Sequence, residues 1–177
     1  MPPRHFPIFL AAQAGRALVI GTGRIAAHKA ATLRSYGFAV ESCAPGDFTA
    51  AMLPDCLLVV AATRDAEFNR RVSEACRAAR VLVNVVDAPE LCTCCFAAVE
   101  RQGPFTVAVS SNGTCPVAAQ GLRDRIRPLL TADLVATAER LGRDRAAWKA
   151  QYPDPARRAA AMRREFTAGG GPADAGA

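Results

Sequence analysis

A glycine turn, a carboxylate at a strand exit and a loop of hydroxyls are the places in this chain where residue type and spacing permit chemistry. Gly21-Thr22-Gly23-Arg24-Ile25-Ala26 lies inside LVIGTGRIAAHK, between an apolar β-rich run and a helical pattern. In this G-x-G-x-x-A arrangement Gly21 permits a tight turn, Gly23 lets the backbone approach a phosphate, and Ala26 lets the helix pack closely on the strand. The first amides of the helix would face the anion. The spacing therefore points to a dinucleotide pyrophosphate, against the plainer reading of a structural βα turn. Glu41, twenty residues beyond Gly21, stands where a carboxylate on the adenine ribose is often found. Its plainer reading is a solvated strand residue.

Asp87 follows the apolar run VLVNVV and precedes Ala88-Pro89, which puts it at the carboxyl end of a strand, where open α/β sheets hold their ligands. Apolar neighbours there predict desolvation and a raised proton affinity, suited to a general base near neutral pH. The alternative is an aspartate that only caps a loop. Ser110-Ser111-Asn112-Gly113-Thr114 leads into a helix that Pro116 can begin. Its hydroxyls and free amides suit a carboxylate-binding rim, a role compatible with ordinary helix capping. Cys92, Cys94 and Cys95 invite a metal reading, yet C-x-C-C lacks the spacers of common clusters and leaves only Cys115 nearby. No metal site is expected; His5 and His28 are isolated and read as packing or surface residues.

The elements that must position these groups alternate. Strand patterns at residues 16–21, 38–43, 56–62 and 81–86 are interleaved with helical patterns at 24–36 and 65–79. Such alternation predicts an α/β fold with a Rossmann-like, doubly wound parallel sheet. After Asp87 the pattern changes: Phe96–Glu100 and Phe105–Val109, separated by Arg101-Gln102-Gly103-Pro104, read as a hairpin or a paired crossing. Helical patterns then occupy 117–130, 132–141 and 155–166, with breaks around Gly142 and Tyr152-Pro153. The expected organisation is a nucleotide-binding domain over 1–112, a dimerisation and helical region over 113–166, and a disordered Gly/Ala/Pro-rich tail over 167–177.

Composition excludes more than it assigns. The net charge of +6 is spread along the chain, and aromatics are only 6%, so no basic tract interleaved with stacking residues marks a nucleic-acid surface. An anionic small molecule fits the charge equally well. Seven cysteines, several in apolar patterns, suit free thiols in a reducing cytoplasm. The apolar stretch 6–14 resembles a short signal core but runs straight into the glycine-turn strand, and no run reaches the roughly 18 apolar residues of a membrane span. A soluble, unprocessed, cytoplasmic protein is expected.

Taken together, Phe6-Pro7-Ile8-Phe9, GTGRIAAHK, LVVAATRDAEFN, VLVNVVDAPELC, FTVAVSSNGTCPVAAQGLRDRI and, more loosely, PDPARR resemble the precorrin-2 dehydrogenase family. That family also forms the amino-terminal half of siroheme synthases, and some members are sirohydrochlorin ferrochelatases. The likeness covers roughly residues 6 to 160. It implies a homodimer with a Rossmann domain, a dimerisation segment and a helical tail, oxidising the tetrapyrrole precorrin-2 to sirohydrochlorin with NAD. It further implies that Asp87 is the catalytic acid/base, that Ser111 lies in the substrate site, and that Arg24, Ile25, Pro45 and Gly46 line the nucleotide. With the residues already named, the candidate cofactor set is Gly21, Gly23, Arg24, Ile25, Glu41, Pro45 and Gly46. The candidate substrate set is Ser111, Asn112, Gly113 and Thr114.

Two departures from the family pattern bear on these expectations. The connection between Cys43 and Leu57 is short, so the edge strand that usually follows the second strand is missing, which touches the adenosine pocket. Thr93-Cys94-Cys95 replaces an aspartate and large apolar residues, and Ala97 a usual proline, which touches the macrocycle pocket. A chelatase inserting Fe2+ or Co2+ is the alternative within enzymes, because Asp87 could equally remove pyrrole protons. A nucleotide-sensing or tetrapyrrole-carrying module is the alternative outside them.

Overall fold

The computed structural model describes residues 5–171. The chain divides after Phe96 into two compact units.

In the first unit, β1 (Arg16–Ile20), β2 (Val40–Cys43), β3 (Cys56–Ala61) and β4 (Leu82–Val85) form one parallel sheet in the order β2-β1-β3-β4. α1 (Arg24–Ser35) connects β1 to β2, and α2 (Ala66–Ala78) connects β3 to β4. The chain moves from β1 to one side and then, from β3 onward, to the other. The topological switch point therefore lies between β1 and β3. Among the described residues β2 is the edge strand of the sheet, and 3-10 turns at Pro45–Asp47 and Ala50–Met52 occupy the short Cys43–Leu57 connection.

Strand alternation divides the core between two faces. Ala17, Val19, Leu58 and Val60 pack with Ala26, Ala30 and Leu33 of α1, whereas Leu18, Ile20, Val59 and Ala61 pack with Val72 and Cys76 of α2. Ala17 to Ile20 and Val59 to Ala61 have no solvent exposure, the mark of central strands covered on both sides. At roughly 1.5–3 kcal/mol for each fully buried aliphatic side chain, these strands make a stiff platform for the loops at their ends.

The second unit begins with a hairpin, β5 (Ala98–Gln102) and β6 (Phe105–Val109), paired antiparallel with Gln102 opposite Phe105. Gly103 takes φ +53, which a primed two-residue turn requires at its first central position, and a Cβ there would overlap Val135. The sequence reading put this hairpin with the nucleotide-binding domain, up to residue 112. Among the described residues its two strands pair with each other in a separate two-stranded sheet and pack on α3 (Pro116–Ile126), which puts the hairpin in the second unit.

A 3-10 turn at Arg127–Leu129 leads to α4 (Ala132–Arg143), α5 (Arg145–Gln151) and α6 (Pro155–Ala168). α5 was not expected from the pattern, and α4 runs through Gly142. Trp148 and Tyr152 stack at 5.7 Å along α5, and Asp154 caps α6 by accepting from the Arg157 amide at 2.8 Å. α6 continues to Ala168, past the expected start of the tail at 167, and the Thr137 hydroxyl donates to the Gly169 carbonyl at 3.1 Å. Tail positions 172–177 lie outside the described residues. Among the described residues no helix is long and apolar enough to cross a membrane.

Candidate active site

In a parallel sheet every strand exit faces the same edge. Gly21 follows β1, Pro45 and Gly46 follow β2, Ala62 and Thr63 follow β3, and Asp87 follows β4. Topology thus brings the candidate turn and the candidate acid/base to one rim, beside the switch point.

The two glycines serve different needs. Gly21 has φ +142, and a Cβ on it would stand 2.6 Å from the Ala62 carbonyl oxygen. The protein itself therefore demands glycine there, where the exits of β1 and β3 come close. Beside Gly23 a Cβ would meet nothing within 4 Å, and its backbone is extended at φ −88. Nothing in the protein requires glycine at 23, and a bare flank of this kind suits an approaching ligand. α1 begins at once, with no side-chain cap and no acidic residue in its first turn, so its leading amides are open to an anion. Arg24 and Ile25, in that first turn, are exposed. A cleft of about 270 Å³ lies against the turn, lined by Gly21, Thr22, Gly23, Ala26, Ala27, Ala30, Arg34 and Ser42. The residues present fit a nucleotide pyrophosphate.

Glu41, the carboxylate expected at the adenine ribose, is engaged within the protein. Its carboxylate takes an ion pair from Arg16 Nη1 at 2.6 Å, and Arg16, the first residue of β1, also donates to the carbonyls of Met52 and Pro54. The side chain is thereby drawn toward the amino end of the sheet, away from the ligand edge. Ser42, one residue on and on the opposite face of β2, lines the cleft instead, as does Arg34, which donates to the Val40 carbonyl at 3.2 Å. Sequence spacing had no means of separating adjacent strand residues that face opposite ways.

The turn after β3 is fixed by a residue the site reading passed over. Asn69 is buried, donates from Nδ2 to the Thr63 carbonyl at 3.1 Å, and accepts from the Thr63 hydroxyl at 2.8 Å. Asp65 caps α2 through the Phe68 amide at 2.9 Å. Thr63, Asp65 and Asn69 all fall in the AATRDAEFN motif, so the signal was present as a capping pattern.

Asp87 has φ +59, a left-handed conformation uncommon for residues other than glycine. Its setting differs from the expectation in one respect: Asp87 is exposed, although its neighbours in sequence are apolar. The conformation is held from behind by Cys92. The Val85 amide donates to Cys92 Sγ at 3.1 Å, and the thiol lies 3.3 Å from both the Val85 and Ala88 carbonyls, bracketing Asp87. Burial pushes the Cys92 thiol up, which keeps it protonated and able to donate.

The residues after this bracket line the free edge of β4. Thr93 accepts from the Val83 amide through its hydroxyl at 2.8 Å and donates its own amide to the Val83 carbonyl at 2.8 Å. Asn84 donates to the Cys94 carbonyl at 3.1 Å. Cys94 packs on the α1 face of the core, and burial pushes its thiol up to about 12. Cys92 and Cys94 are thus structural thiols, while Cys95 and Cys115 are exposed. Among the described residues no three His, Cys, Asp or Glu side chains converge as a metal site.

In the second unit Ser111 Oγ accepts from the Cys115 amide at 3.0 Å, and Ser110 Oγ accepts from the Asn112 amide at 3.1 Å. The Thr114 amide donates to the Ser111 carbonyl at 3.0 Å, closing the turn. Asn112 and Gly113 take φ +54 and +80, and 112–114 are exposed. Ser111 thus holds the amide of Cys115, the residue before α3, but no side chain caps the helix itself, so the helix capping foreseen for this loop is not formed, and the loop's outer polar groups lie on the surface.

Comparison with known proteins follows the same lines. Residues 8–98 match the family model NAD_binding_7, described as "Putative NAD(P)-binding". Siroheme synthase from Pseudomonas putida (strain W619) is 38% identical over 169 residues, covering 85% of this chain and 36% of the relative. Siroheme synthase from Methylobacillus flagellatus is 40% identical over 145 residues, covering 71% and 31%. The chain thus spans about a third of the length of these relatives. A solved structure of "SirC, precorrin-2 dehydrogenase" has the same fold, with a TM-score of 0.70 at 17% identity, covering 90% of this chain and 88% of that one. The motif resemblance and the relatives agree, and the chain belongs to the NAD(P)-binding family that siroheme synthases share.

Proposed function

We propose that this chain is an NAD-dependent dehydrogenase of siroheme biosynthesis that oxidises precorrin-2 to sirohydrochlorin. The observation that carries the reading is the shared rim: an open helix N-terminus beside an unencumbered Gly23, and a carboxylate fixed at φ +59 on the exit of β4 of the same sheet. The relatives' names supply the substrate class.

Gly21, Gly23, Arg24 and Ile25 hold the pyrophosphate on the amides of α1, and Pro45 and Gly46 border the adenosine side. Bound NAD supplies the hydride acceptor. Asp87 takes up the proton released as the substrate gives up its hydride, so two electrons and two hydrogens leave together. The backbone bracket from Cys92 keeps that carboxylate aimed without occupying its oxygens. Ser111, Asn112, Gly113 and Thr114 are the candidate rim for carboxylates of the substrate, with arginines as further counter-charges.

Anaerobic incubation with precorrin-2 and NAD, followed by Fe2+, tests the assignment. Reduced nicotinamide should form in equal amount to sirohydrochlorin. A further spectral change only on adding Fe2+ adds metal insertion to the activity, whereas tetrapyrrole binding without nicotinamide reduction replaces the dehydrogenase with a carrier.

A further inference from the structure

Lys29 is half-buried, and its ammonium sits over the Phe96 ring, 4.1 Å from the centroid. It lies between Ala26 and Ala30, the α1 residues that pack on the sheet, and Phe96 packs on that same cluster. The aliphatic stem is therefore anchored and the charge is held in one place. Among the described residues no carboxylate stands within ion-pair distance of it. Asp87 likewise makes no ion pair there, although its charge acts on Lys29 and opposes the loss of proton affinity that burial imposes. Two opposite charges thus face the same region without closing on each other. An immobilised cation left unpaired at a partly desolvated position is suited to an anionic ligand that completes it.

We infer that Lys29, seated on Phe96, is a substrate-positioning residue that binds a carboxylate of the molecule acted on by Asp87. The inference rests on the reading in which that molecule is a polycarboxylate tetrapyrrole, and it adds the cation that orients it. Asp87 faces the hydrogen to be removed while Lys29 holds an acid side chain of the same macrocycle, so one ligand bridges the two charges. Phosphate recognition stays with the amides at the start of α1, about one and a half turns of helix before Lys29.

Anaerobic titration of the full chain with sirohydrochlorin, and separately with NAD, tests this. Lys29→Met keeps the stem over Phe96 and removes the charge, Lys29→Gln is a second neutral variant, and Lys29→Arg keeps the charge. Both neutral variants should bind sirohydrochlorin at least about tenfold more weakly than wild type, with Lys29→Arg within about threefold of it. NAD affinity should stay within about twofold throughout, which also certifies the fold. Neutral variants that bind sirohydrochlorin as wild type does overturn the role of Lys29 and leave the dehydrogenase reading standing. Neutral variants that lose NAD in the same proportion also overturn it, because the anion held would then be the nucleotide's. A wild-type chain that binds no sirohydrochlorin removes the reading itself and this inference with it.

Discussion

Asp87 owes its geometry to a neighbour five residues on. The Cys92 thiol meets the backbone on both sides of it, at Val85 and Ala88, and so offsets the cost of a left-handed aspartate, which is of order 1–3 kcal/mol. Cys92→Ala leaves the partly buried Val85 amide without an acceptor and should lower stability by about 1–2 kcal/mol in denaturant titration. Cys92→Ser, which keeps a donor and an acceptor, should recover about half of that. Equal stability in all three proteins would show that the thiol only fills space. Glu41 makes the opposite case. Its carboxylate is committed to Arg16, a half-exposed pair worth less than about 1 kcal/mol, so Glu41→Ala should leave the NAD dissociation constant within about twofold. A tenfold loss would restore the ribose role that the sequence spacing suggested.

At the scale of elements, the βα turn separates what the fold needs from what a ligand needs. Gly21→Ala drives a Cβ toward the Ala62 carbonyl at a disfavoured φ and should cost several kcal/mol of stability, read by thermal unfolding. Gly23→Val puts its Cβ within 4 Å of no protein atom and should unfold within a few degrees of wild type while weakening NAD by at least about tenfold. The reverse pattern would take the glycine turn out of the nucleotide site. The strands and first helices were legible in sequence because buried parallel strands read as continuous apolar runs, broken by Gly21, Gly37 and the Pro45-Gly46 turn. Less legible was anything set by which way a strand residue points: Glu41 and Ser42 are adjacent, and only Ser42 lines the cleft. The exposure of Asp87 was also hidden, since apolar neighbours in sequence need not cover a residue in left-handed conformation. α5 escaped because its seven residues, with few large apolar side chains, carry no periodic stripe.

For the whole molecule, the expected homodimer bears on the apolar surface of the second unit. Leu134 and Leu141 of α4 are buried, yet Val117, Leu122 and Leu129 are 75%, 51% and 66% exposed. A second copy covering them would account for their exposure. Light scattering at micromolar concentration should give twice the monomer mass, and Leu122→Glu with Leu129→Glu should halve it. A wild-type chain that stays monomeric would leave those side chains without that partner. Seven reduced cysteines are accommodated without any disulfide, with Cys56 and Cys76 buried in the α2 face of the core.

The central claim is that a nucleotide on the Gly21 turn and the carboxylate of Asp87 act in one oxidation. Its most direct measurement is a single turnover under anaerobic conditions, with precorrin-2 and NAD, comparing wild type with Asp87→Asn. Asparagine tolerates the φ of +59 and removes only the proton acceptor. The account predicts one reduced nicotinamide per chain in wild type, and in the variant a rate at least about a hundredfold lower with NAD affinity unchanged. Nicotinamide reduction at the wild-type rate in Asp87→Asn would contradict it.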